Sequence, residues 1–371
     1  MPAVSWEQVS KRFGPVCALS AASADAAAAQ CTVLLGPVGA GKTTLIRIAL
    51  GLEAPDDGRA FLEDRPVDQL SVIEKNALLV AGPEAILPRT RVGRYIATAL
   101  QPQGIPRKQR ELRVEKTAKL VGLTAKLDRP MRALSGPEQC RANLARALAR
   151  QVGTLFLDDP LKHLPPNQQE TEALRLARLA RQASLTLVYA TRDEVQARIL
   201  AQRIVLMDAG KVLQQSSPRE LYDQPENLSV AAALGSDCWN LLPGHIEPIS
   251  SGRRQLVLSK KIALLPAPPT LKKEAESVVL GVRPRAVSIG MEVGQLPSQS
   301  PAWTATVALV QREGADRLLA LKTEDLLVRA RGAAEAFPPE ALETGAKVFF
   351  CFRPGSLRLF DADTGEDLLQ S

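Results

Sequence analysis

An α/β domain with a largely parallel sheet, joined to a small all-β barrel or sandwich, is the architecture this sequence predicts. Three observations carry the prediction. Short apolar runs alternate with helix-length segments through residues 1–235, and a glycine-rich phosphate-loop pattern links one such run to a helix. After Gly235 the texture changes to short strand candidates split by Pro, Gly and Ser. Continuous apolar runs separated by helices form parallel sheets covered on both faces, whereas short alternating strands with turn residues close on themselves.

The first run is Thr32-Val33-Leu34-Leu35, ending at Gly36, and residues 43–52 then have helical composition. A helix-rich insert at about 84–150 contains helical stretches at 92–100 and 107–121. Thr154-Leu155-Phe156-Leu157 is a second buried strand, stopped by Asp158-Asp159-Pro160. Leu185-Thr186-Leu187-Val188-Tyr189 is a third, and Ile204-Val205-Leu206-Met207 a fourth, followed by a turn at Asp208-Ala209-Gly210-Lys211. Beyond Gly235, strands are expected at Gln255-Leu256-Val257-Leu258, at Ser277-Val278-Val279-Leu280 and across residues 305–310. Pro266-Ala267-Pro268-Pro269 separates two of them. The expected domains are thus 1–235 and 236–371.

Bulk properties exclude several function classes. A chain of 371 residues, 45% hydrophobic and 23% charged, has length for two or three cored domains. Five cysteines without short spacing make neither a disulfide framework nor a zinc site, and two histidines cannot build a His-based metal centre. The formal charge of +7 is mostly Arg along helical stretches such as 141–150, without an aromatic-rich stripe. That pattern reads as solvated helix faces, and no nucleic acid is expected as partner. No run of eighteen apolar residues appears, and the start lacks the build of a secretory signal. The chain is expected to stay in the reducing compartment where it is made.

Gly36-Pro37-Val38-Gly39-Ala40-Gly41-Lys42-Thr43 matches G-x-x-x-x-G-K-[ST] at every fixed position. The glycines let the backbone fold tightly round a β-phosphate with its N–H groups inward. Lys42 can reach the β- and γ-phosphates, the Thr43 hydroxyl can ligate Mg²⁺, and Thr44 follows in the same helical turn. The helix adds its positive end. Asp158, at the end of a buried strand, is the partner carboxylate for Mg²⁺.

Further stretches carry a family resemblance. Leu134-Ser135-Gly136-Pro137-Glu138 precedes a helix at 139–150 and lies about twenty residues before the strand ending at Asp158. It resembles the LSGGQ signature of ABC ATPases, in which Ser135 and Gly136 would face the ATP of a partner cassette. Lys11-Arg12-Phe13-Gly14 resembles the A-loop, so Phe13 is either the ring under adenine or a core aromatic. Gly281-Val282-Arg283-Pro284, and the stretch from Arg353-Pro354-Gly355 to Asp363-Thr364-Gly365, resemble the OB-type TOBE domain of carbohydrate importers. Gly235-Ser236 with Asn240-Leu241-Leu242-Pro243-Gly244 resembles the junction into it. The chain is thus similar, almost throughout, to maltose- and glycerol-3-phosphate-type importer ATPases. The resemblance implies an ABC cassette with a helical subdomain and a regulatory TOBE domain, using ATP and Mg²⁺. It also implies a second ATPase subunit, two membrane permeases, indirectly a periplasmic solute-binding protein, and a peripheral place on the cytoplasmic face of the inner membrane.

The departures from the family pattern fall on its chemistry. Gly82 stands at the Q-loop glutamine, Asp159 at the catalytic glutamate and Arg192 at the switch histidine. The D-loop reads Lys162-His163-Leu164-Pro165. In the signature, Pro137 removes an N–H, and Glu138 adds negative charge beside the partner's phosphate. Loss of a well-placed general base costs about 10²–10⁴ in rate. The expectation is retained binding with weakened hydrolysis, this chain being the impaired half of a heterodimeric ATPase pair. The alternatives are a fully active homodimeric transport ATPase and a non-transport ABC protein acting on nucleic acid.

Overall fold

The computed structural model describes residues 2–70, 77–80, 87–101, 104–234, 238–248, 254–259, 262–264, 275–297, 301–313, 315–353 and 355–369. The N-terminal stretch alternates buried with exposed residues, as a sheet covered on one face requires. It forms the long antiparallel pair β1 (Pro2–Phe13) and β2 (Val16–Ala27). Trp6, almost fully buried, donates its indole N–H to the Leu45 carbonyl at 3.0 Å, pinning this sheet to the helix after the phosphate loop.

Strand β3 (Cys31–Leu35) is buried at all five positions, so it has no solvent face and must sit centrally. Next come α1 (Lys42–Ala49), β4 (Asp57–Leu62), β5 (Arg65–Pro66) and β6 (Ala77–Val80). The helical insert contributes α2 (Val92–Thr98), α3 (Arg107–Leu120) and α4 (Gly136–Ala149). Then follow β7 (Thr154–Asp158), α5 (Pro166–Gln182), β8 (Thr186–Thr191), α6 (Glu194–Leu200), β9 (Arg203–Asp208) and β10 (Lys211–Ser216). Among the described residues the strand order is β10-β9-β3-β8-β7-β6, parallel except for the terminal hairpin β9–β10. β1, β2, β4 and β5 make a separate antiparallel sheet that the sequence reading missed, because its small residues carry no strong strand signal. The ends of β3, β7 and β8 lie side by side, where open parallel sheets place their ligands.

Two compact units divide the chain, Met1–Leu221 and Tyr222–Ser371. Residues 222–234, which the sequence places at the tail of the first domain, group with the second unit. There the helix Leu228–Ala233 is tied by its first N–H to the Gly365 carbonyl at 2.9 Å. This unit carries two antiparallel five-stranded sheets among the described residues. One joins Asn240–Pro248, Arg254–Ser259, Ile262–Leu264, Ser277–Val282 and Leu357–Asp361. The other joins Val287–Gly290, Trp303–Glu313, Asp316–Lys322, Leu327–Ala333 and Lys347–Phe352. Their inner faces share a core that includes Leu280, Val307, Phe350 and Leu359. The Asn240 side chain bridges them, donating to the Arg329 carbonyl at 2.9 Å and accepting from the Arg329 N–H at 2.7 Å. The proline segment 266–269, Gly235-Ser236 and Pro354 lie outside the described residues.

Candidate functional site

Backbone conformation builds the loop between β3 and α1. Gly39 and Gly41 take φ of 86° and 95°, a region that side chains rarely tolerate. A Cβ on Gly41 would stand 2.5 Å from the Ala18 carbonyl oxygen, and one on Gly36 would stand 2.1 Å from that of Met207. The chain must therefore be glycine at both places for the loop to close against its neighbours. No side chain caps α1, whose N-terminal cap residue is Gly41, so its first N–H groups face the concave loop. Such a cradle suits an oxyanion.

Lys42 closes the rim. Its ammonium donates to the Gly36 and Pro37 carbonyls, both at 2.7 Å. Burial pulls its pKa below the ordinary lysine value; Asp159 and Asp158 push it back up, and Arg192 lowers it further. The Thr43 hydroxyl donates to Asp158 at 2.9 Å, joining the start of α1 to the end of β7. A hydroxyl and a carboxylate oxygen are hard donors, of the kind Mg²⁺ takes. Val38 and Ala40 are at opposite extremes, one exposed and one buried in the core, and Thr44 sits in the first turn of α1.

Asp159 follows Asp158 with φ of 44° and donates its N–H to the Ala190 carbonyl at 2.9 Å. Burial raises its carboxyl pKa above the usual aspartate range, with the Arg192 charge opposing and Asp158 reinforcing the shift. Arg192 is exposed beside it, and Asp193 caps α6 by accepting the Gln196 N–H at 2.9 Å. Phe13 ends β1 with 46% of its surface exposed, so it is no core aromatic, and the Lys11 ammonium lies 5.5 Å from its ring centroid. Gly82 lies outside the described residues.

The segment expected to precede a helix is itself helical: α4 begins at Gly136, not Gln139. The cause is a capping box, in which Ser135 and Glu138 bond each other's backbone N–H, with Pro137 in the first turn. Glu138 is also ion-paired with Lys126, and that bond, the largest cause, holds its carboxyl below the usual glutamate range. The negative charge expected to burden the signature is thus neutralised within the chain. Lys126 gave no sequence signal, since a turn separates it from its partner. Gly136 packs under Leu164, whose Cδ2 would be 2.9 Å from a Cβ there. The Leu164 carbonyl accepts from Gln169 at 2.6 Å, inside the D-loop-like segment.

The cradle, the Lys42 cation and the paired oxygens of Thr43 and Asp158 thus meet at one end of the parallel sheet. The ABC transporter family model matches residues 19–162. The diacetylchitobiose uptake system ATP-binding protein MsiK of Streptomyces coelicolor is 32% identical, covering 93% of each chain. The sn-glycerol-3-phosphate import ATP-binding protein UgpC 1 of Rhizobium johnstonii is 30% identical over 98% of this chain and 96% of its own. The chain belongs to the ABC transporter ATP-binding proteins. As an ABC protein it binds ATP. A solved structure, cbiO1 of Clostridium perfringens, part of the ABC transporter complex cbiONQ, shares the fold. It aligns with TM-score 0.57 at 22% identity, over 60% of this chain and 91% of that one. Among the described residues of this ABC chain, no helix is long and apolar enough to cross a membrane.

Proposed function

We propose that this chain is the ATP-binding subunit of an importer for a sugar, polyol or glycerol-type solute, and the hydrolysis-impaired half of a heterodimeric ATPase pair. One observation carries the reading. Lys42 closes on the Gly36 and Pro37 carbonyls and Thr43 meets Asp158, while beside them Asp159 and Arg192 stand where the family has a glutamate and a histidine. Asp159 is one methylene shorter than the family's glutamate. The Arg192 guanidinium has donors and no acceptor, so it can anchor a phosphate but cannot stand in for an imidazole relay.

In this reading the N–H groups of Val38, Gly39 and residues 41–44 receive the phosphates, and Phe13 stacks on adenine. Lys42 exchanges its two carbonyl partners for phosphate oxygens. Thr43 and Asp158 hold Mg²⁺, which when bound neutralises charge between the β- and γ-phosphates. Ser135 and Gly136 face the nucleotide of the second ATPase. Closure of the two cassettes drives two membrane permeases, fed by a periplasmic solute-binding protein, from the cytoplasmic face of the inner membrane. The relatives' names, glycerol-3-phosphate import and diacetylchitobiose uptake, support the solute class.

The test measures ATP binding and turnover separately, for the chain alone and with a competent partner ATPase. Binding should require Lys42, and Lys42→Ala should abolish it. Turnover alone should be slight, and Asp159→Glu with Arg192→His should raise it. Rapid steady hydrolysis by the unmodified chain would instead establish the fully active homodimer.

A further inference from the structure

A chain of side-chain hydrogen bonds runs away from the nucleotide site behind Arg192. The Asp193 carboxylate accepts the Gln196 N–H at 2.9 Å, and the Asp193 N–H donates to the Thr191 hydroxyl at 3.1 Å. Gln196 is therefore tied to the turn that carries Arg192. Its side chain points inward and is only 2% exposed. There the Tyr189 hydroxyl donates to Gln196 Oε1 at 2.6 Å, and Gln196 Nε2 donates to Gln169 Oε1 at 2.7 Å. Gln169 Nε2 donates in turn to the Leu164 carbonyl at 2.6 Å. Leu164 itself fills the space over Gly136, the signature glycine.

All three bonds point one way, and each amide uses both ends. Turning either amide over would set oxygen against oxygen, so the relay has one arrangement and no partial one. Breaking any link strands a buried polar group, which binds the links into a unit. We propose that Gln196 and Gln169 are positioning residues that couple the Arg192 switch of one nucleotide site to Gly136, which faces the other. The inference rests on the proposed function in that Arg192 and Gly136 are taken to face nucleotide. Movement of Arg192 toward a phosphate shifts α6 through the Asp193 cap. The relay then carries that shift to the Leu164 backbone and so to Gly136.

Hydrogen exchange of the full chain, with and without ATP and Mg²⁺, tests this. In the native sequence ATP should slow exchange in residues 160–168 and 134–140. In Gln196→Leu, and in the less buried Gln169→Leu, ATP should still bind while the response of both segments is lost. The pair Gln196→Glu with Gln169→Arg rebuilds the links, because the carboxylate accepts from Tyr189 and from a guanidinium that donates onward to Leu164. It should restore the response, which a merely structural role does not predict. ATP binding with an undiminished response in both single variants overturns the coupling alone. Failure of the native chain to bind ATP overturns the proposed function and the coupling with it.

Discussion

Lys42 illustrates how the surroundings of a single side chain suit it to an anion. Its charge is half-buried against two carbonyls, an arrangement that burial disfavours and neighbouring carboxylates only partly offset. A phosphate replaces neutral acceptors with anionic ones, adding attraction between opposite charges to bonds that the ammonium already strengthens. The glycines of the loop separate two physical causes. Gly39 has open space where a Cβ would go, so Gly39→Ala meets only its positive φ, a cost of about 1–2 kcal/mol. Gly41→Ala meets the same penalty and also the Ala18 carbonyl at 2.5 Å. Urea unfolding should therefore show a larger loss for Gly41→Ala than for Gly39→Ala, and equal losses would refute the packing argument.

The first turn of α4 shows how an element's end can be rewritten by one distant contact. Glu138 is pulled below its ordinary pKa by Lys126 and the Ser135 N–H. A depressed carboxylate adds stability that is fully present above its unfolded value, about 4.3, and is lost as pH falls through the folded value. Lys126→Met removes the largest cause and moves that loss upward in pH. Melting temperatures of the native chain and Lys126→Met should then differ at neutral pH and converge in acid. A difference that persists unchanged below the ordinary glutamate range would mean that Lys126 acts through packing instead.

Across the whole molecule, the phosphate loop belongs to the unit Met1–Leu221, while the unit Tyr222–Ser371 has its own core of two facing sheets. A ligand that binds one folded unit raises only that unit's stability, by about 2.7 kcal/mol at a hundred times its Kd. Calorimetry of the full chain should resolve two transitions, with ATP and Mg²⁺ raising the first unit's transition and leaving the other in place. One transition that shifts as a whole would show that the two units unfold together.

The phosphate loop, its flanking strand and helix, and Asp158 were legible in the residues because their chemistry depends on short, ordered spacing. Gly41 must be glycine where the backbone turns left-handed, and Lys42 must follow it to reach the same anion. A buried parallel strand such as Cys31–Leu35 announces itself by having no polar face. The pairings of Lys126 with Glu138, Gln169 with Gln196, and Leu164 with Gly136 left no such trace. Each joins residues far apart along the chain whose meeting depends on how α4, α5 and α6 pack against one sheet. Local spacing encodes what a segment can bind; through-space contact between segments determines whether a charge is neutralised, a helix begins early, or one loop feels another.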